Sequence, residues 1–133
     1  MILASFSHAY GQCAYHIVFV PKYRRKIFVG RVATRLEEIF RKICEQNNVV
    51  IHALKVMADH VHLFASLPPS LALSRLFHLL KGVSSRVLFQ ENPQLKSVLW
   101  GGHLWSRGKF FRSVGSVKAD VIERYIKNQS DYL

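Results

Sequence analysis

The chain has 133 residues, half of them hydrophobic, and 19 Lys and Arg stand against 8 Asp and Glu for a formal charge of +11. Those values exclude a disordered basic tail and a miniprotein held by disulfides, and they fit one domain spanning residues 1–133 that buries its own core. So positive a balance points to a polyanionic partner, nucleic acid before membrane, unless the protein merely runs basic.

Cys13 and Cys44 are far apart and form no CxxC, so they read as small buried residues of a reducing compartment. Residues 1–12 lack the basic and apolar regions of a signal peptide. No apolar run approaches the roughly 18 residues of a membrane span. The expectation is a cytoplasmic protein with no membrane partner.

Residues 14–20, Ala-Tyr-His-Ile-Val-Phe-Val, are apolar at nearly every position and predict a buried strand. His16 interrupts it, as a satisfied core or supporting histidine in preference to a ligand. Pro21 ends the strand. In Lys22-Tyr23-Arg24-Arg25-Lys26, four cations surround a tyrosine, which suits either a phosphate backbone with a base stacked on the ring or a solvated basic turn. Over 31–47, Val32, Leu36, Ile39, Phe40 and Ile43 recur at helical spacing with a mixed-charge outer face, so this helix reads as structural. Asn47-Asn48 closes it.

Residues 49–67 predict two adjacent strands with a polar break near Asp59. Side chains two apart on a strand share a face. His60 and His62 therefore point one way with Phe64 and Ser66, while Val61, Leu63, Ala65 and Leu67 point the other way, toward a core. Imidazoles at i and i+2 lie roughly 6–7 Å apart at Cβ, close enough to converge on one metal ion. Asp59 adjoins them, but on a regular strand it would point away.

Pro68-Pro69-Ser70 predicts a stop and an N-cap. A second helix follows over 71–90, with Leu73, Leu76, Phe77, Leu80, Val83, Val87 and Leu88 inward. Its Arg75, Lys81 and Arg86 either touch phosphates or face solvent. Trp100 and Trp105, in a loop region with His103, either stack on unpaired bases or fill the core edge. Residues 108–114 interleave cations and aromatics as a last strand, with Lys109 beside Arg107. Ser116 would cap a final helix over about 117–130. On it Tyr125 and Gln129, four residues apart, share a face.

Together, Met57-Ala58-Asp59-His60-Val61-His62-Leu63 and Tyr125-Ile126-Lys127-Asn128-Gln129 resemble the HUH motif and tyrosine helix of the small single-tyrosine transposases, the TnpA type of the simplest insertion sequences. The match extends in order through residues 15–26, Leu80-Lys81-Gly82-Val83-Ser84-Ser85-Arg86 and Leu104-Trp105-Ser106-Arg107-Gly108. Ala58 and Lys109 depart from the family's common proline and aromatic. The resemblance implies an α+β fold, a ferredoxin-like (RRM-like) βαββαβ sandwich with an antiparallel sheet, plus a C-terminal helix carrying the tyrosine. It implies Tyr125 as nucleophile and His60, His62 and Gln129 as ligands to Mg²⁺ or Mn²⁺. It further implies cleavage and rejoining of single-stranded DNA with hairpin ends, by a homodimer with shared active sites. DNA contacts are expected from Lys22, Tyr23, Arg24, Arg25, Lys26, Lys81, Arg86, Arg107 and Lys109. Two other functions fit the residues alone: a noncatalytic RRM-like binding module, and a metal-dependent nuclease in which water attacks and Tyr125 is core.

Overall fold

A computed structural model describes residues 4–6, 9–11 and 13–114. Tyr125, Gln129 and the expected helix over 117–130 lie outside the described residues. Among the described residues, six strands and three α-helices follow in chain order: β1 (Ala4–Phe6), β2 (Ala9–Gly11), β3 (Ala14–Phe19), α1 (Gly30–Gln46), β4 (Val50–Met57), β5 (His60–Ser66), α2 (Leu73–Glu91), the one-turn α3 (Leu95–Val98) and β6 (Phe110–Val114). β1 and β2 form an antiparallel ribbon that the sequence reading did not anticipate; three-residue strands are too short to show a period.

The other four strands make an antiparallel sheet in the order β4-β5-β3-β6. With α1 and α2 as its crossovers, this is the expected βαββαβ ferredoxin-like arrangement. The chemistry-bearing strand β5 is central, hydrogen-bonded to β3 on one side and β4 on the other.

The core forms where three periodicities meet. Along α1, Leu36, Ile39, Phe40, Ile43 and Cys44 are the buried residues, the 3–4–7–8 spacing of one helical face. The helix ends where the Asn47 amide and side chain both donate to the Ile43 carbonyl and Asn48 turns left-handed at φ 57°. Along α2, Leu76, Phe77, Leu80 and Leu88 turn inward. Both helices cover one sheet face, carrying Ile17, Phe19, Val61, Leu63 and Ala65. Phe19 packs against Phe40, Phe77 and Trp105 with ring centroids 5.0, 5.3 and 5.8 Å away.

Two local expectations change and one open alternative is decided. The second helix starts after Ala72, not after Ser70, because Pro68–Leu71 is spent in a turn closed by the Leu71 amide on the Pro68 carbonyl. Cys44 is buried and its thiol pushed up to about 12 by that burial, but Cys13 is exposed, one residue before β3 begins. Trp105 fills the core: it is 7% exposed, and its indole N–H donates to the Ser84 hydroxyl at 2.9 Å. That bond satisfies the one polar atom of the indole and explains a buried serine on α2.

Candidate active site

Alternation along β5 does what the sequence requires. Val61, Leu63 and Ala65 face the helices, and His60, His62, Phe64 and Ser66 face away from them. Antiparallel partners share a face, so register names the neighbours: Met57 opposite His60, Lys55 opposite His62, Val18 opposite His62 and His16 opposite Phe64. Arg112 of β6 stands opposite His16. Lys55 and Arg112, both exposed, therefore flank the histidines with positive charge. Neither was singled out from sequence, since their facing depends on register.

His60 and His62 are 6% and 0% exposed, with ring centroids 4.8 Å apart and planes at 89°. Each presents its Nδ1 to a partner. His60 Nδ1 lies 2.8 Å from Asp59 Oδ1, and His62 Nδ1 lies 3.2 Å from His16 Nε2. The expectation that Asp59 points away is corrected: it sits in the two-residue Ala58-Asp59 turn between β4 and β5, where strand alternation does not apply. The Phe28 amide anchors that turn through the Ala58 carbonyl. His16 is buried against His62 on the same sheet face, as a core or supporting histidine would be.

Electrostatics suit ligation. His16 is lowered to about 4 by burial first and the Arg112 charge second; His62 is lowered to about 4 by burial, then by His60 and His16. Both are neutral at pH 7, the form that binds metal. The Asp59 carboxyl is held below its usual range, chiefly by the His60 hydrogen bond and then by Arg24, so it stays an anionic acceptor.

The donor set fits a divalent ion. With Nδ1 of each ring engaged, Nε2 is the nitrogen left for coordination, the usual arrangement of a ligating histidine with a supporting acceptor behind it. Among the described residues no group of three or more His, Cys, Asp or Glu is placed to hold a metal ion, so an ion held by these two imidazoles would need further ligands.

The expected DNA contacts fall into separate groups. Lys22, Lys81, Arg107 and Lys109 line one pocket of about 470 Å³ with His78 and His103, on the flank of α2. Arg86 does not line it. Lys81 spans the Ser106 and Gly108 carbonyls at 3.1 and 2.9 Å and lies over the Phe77 ring, so it also holds the loop in place. Tyr23, 56% exposed, lies between Lys22 and Arg25, whose charges sit 5.3 and 5.9 Å from its ring centroid. Arg25 and Lys26 are exposed. Arg24 pairs with Asp59 at 3.1 Å.

A ferredoxin-like sheet carrying a buried histidine pair, with cations at its rim, is the class of domain that the HUH reading requires. A family model for IS200-like transposases matches residues 9–129, and the chain belongs to that family, whose members are DNA-transposition enzymes. It is 40% identical over 120 residues to the ISDra2 transposase TnpA of Deinococcus radiodurans, covering 90% of this chain and 86% of that one. It is 39% identical over 125 residues to the transposase for insertion sequence element IS200 of Salmonella typhimurium, covering 94% and 82%. Among solved structures, a candidate transposase from Deinococcus radiodurans R1 superposes with a TM-score of 0.75 at 34% identity, covering 94% of this chain and 96% of that one. A REP-associated tyrosine transposase bound to a REP hairpin gives 0.64 at 15% identity, over 96% and 73%, a likeness of fold.

Proposed function

We propose that this chain cleaves and rejoins single-stranded DNA at insertion-sequence ends, reading end hairpins, with Tyr125 as nucleophile and His60, His62 and Gln129 holding Mg²⁺ or Mn²⁺. The observation that carries the reading is the paired geometry at β5: two buried imidazoles whose Nδ1 atoms face partners, so that Nε2 of each would coordinate. A bound divalent ion would neutralise phosphate charge and polarise the phosphoryl oxygen.

The residues supply the remaining steps. The Tyr125 hydroxyl attacks phosphorus, the 3′-oxygen leaves with a proton, and a 5′-phosphotyrosine retains the bond energy. A 3′-hydroxyl later attacks that linkage and releases Tyr125, joining new ends without ATP. The hydroxyl has a reference pKa near ~10 and must lose its proton on attack. Lys55 and Arg112 lie on the face where the phosphodiester would approach, and the pocket cations would grip DNA further along. The working unit in this reading is a homodimer, in which the tyrosine helix of one subunit completes the histidine pair of the other. It acts on DNA in the cytoplasm; no helix of the described residues is long and apolar enough to cross a membrane.

Incubating the protein with labelled single-stranded hairpin DNA and Mn²⁺ tests this. The expected result is a denaturation-resistant protein–DNA adduct, absent from Tyr125→Phe. Free 5′-phosphate ends without an adduct would instead establish a hydrolytic nuclease. Mixing Tyr125→Phe subunits with His60→Ala, His62→Ala subunits should restore cleavage if sites are shared, and leave the mixture inactive if each subunit is self-contained.

A further inference from the structure

Behind the two imidazoles runs a hydrogen-bonded set drawn from three distant segments. One carboxylate is divided between two partners: Asp59 Oδ1 faces His60 Nδ1 at 2.8 Å, and Oδ2 accepts from Arg24 Nε at 3.1 Å. On the other side His16, 46 residues before His62, brings Nε2 to 3.2 Å from His62 Nδ1, with the rings 14° from parallel. Arg24 comes from the 22–26 segment, where Tyr23 and Arg24 both adopt left-handed φ values of 61° and 51°. Side chains rarely tolerate that conformation, and such backbone persists where surrounding contacts hold it.

We propose that Asp59 and His16 are positioning residues for the metal-ligating imidazoles, and that Arg24 holds Asp59 in place. This rests on the metal reading above. A neutral imidazole carries one N–H. With that proton on Nδ1 donating to Asp59, the Nε2 lone pair of His60 is committed to the metal side. His62, donating from Nδ1 to His16 Nε2, is committed in the same sense. Each partner selects one tautomer and one ring orientation, and the anionic partner also makes its imidazole a stronger donor to a cation. The basic 22–26 segment thereby has two duties. Tyr23, Arg25 and Lys26 face solvent, while Arg24 reaches back to Asp59 beside the histidine centre.

The test is Mn²⁺ affinity of the full-length, DNA-free protein, read from the electron paramagnetic resonance signal of free Mn²⁺. Asp59→Ala should weaken binding by about 10- to 100-fold, the usual cost of losing such a partner. Asp59→Asn, which keeps an acceptor oxygen, should recover part of that loss. His16→Leu should weaken binding similarly, and His16→Gln should restore it through its carboxamide oxygen. Arg24→Gln, removing an exposed ion pair, should cost about 2- to 5-fold, fading at high salt. If His16→Leu fails to fold, the Asp59 pair in its surface turn still decides the matter. Wild type that binds Mn²⁺ no better than His60→Ala, His62→Ala overturns the metal reading and this inference with it. Wild type that binds tightly, a double variant that does not, and Asp59→Ala and His16→Leu that bind like wild type overturn this inference alone.

Discussion

At the histidine centre, imidazoles are buried and each has a fixed partner; around the 103–109 loop, His78, His103 and the cations stand about an open pocket. The same residue types serve different physics. Burial at β5 holds His16 and His62 neutral and restricts each ring to one geometry, so a substitution there acts on a configuration. In the pocket, Lys22, Arg107 and Lys109 add charge to a surface that water can still reach, so a substitution acts on a sum. Catalytic metal chemistry needs the former and tracking of a polyanion needs only the latter.

The sharpest way to break this contrast is to remove the pair. His60→Ala with His62→Ala should bring cleavage to background and abolish Mn²⁺ binding, while circular dichroism stays native and hairpin affinity changes little. A parallel collapse of hairpin affinity would mean that the two regions are one.

Acid should separate them next. The folded pKa values of His16 and His62, about 4, lie below the ordinary imidazole value of about 6.5. Between these values the unfolded chain binds more protons than the folded one. Their contribution to stability is therefore present above pH ~6.5 and lost as pH falls toward ~4. Urea midpoints at pH 7.5, 6 and 5 should fall in that order, and His16→Gln should flatten the trend. Midpoints that stay constant would show that the histidine face is not kept neutral.

Lys81 sits between the two regimes, half-buried in the pocket wall with its charge on two backbone carbonyls. Lys81→Met keeps most of the stem and loses both hydrogen bonds. A destabilisation of about 1–3 kcal/mol is expected, with faster amide exchange over 104–109. Unchanged stability with weakened DNA binding would instead place Lys81 with the cations that act only through summed charge.

The smallest effects belong to the other cations of the pocket. Lys22→Gln, Arg107→Gln and Lys109→Gln should each weaken hairpin binding modestly and lower the slope of log affinity against log salt by about 1, adding when combined. Fluorescence anisotropy titrations from 50 to 300 mM salt would measure it (roughly the range over which counterion release dominates). A single variant as severe as the histidine pair would show a specific contact where only summed charge is expected.

Local periodicity determined much of this protein before any fold was known. The two-residue alternation of 60–66 assigned His60 and His62 to one face and Val61, Leu63 and Ala65 to the core, because a strand offers no other choice. The spacing of Leu36, Ile39, Phe40 and Ile43 did the same for α1. The order of strands and helices, with the resemblance it carried, led to the ferredoxin-like sheet. Side chains whose role depends on partners far along the chain were decided only by tertiary structure. His16 meets His62 because β3 and β5 pair in one particular register, and a shift of one residue would turn His16 to the other face. Asp59 reaches His60 because a tight turn removes it from strand alternation. Trp105 went to the core because Ser84, 21 residues earlier, satisfies its N–H there. Lys81 clamps a loop because two carbonyls from 106–108 arrive within reach of its ammonium. Such contacts follow from register and packing, which join segments that no local period connects.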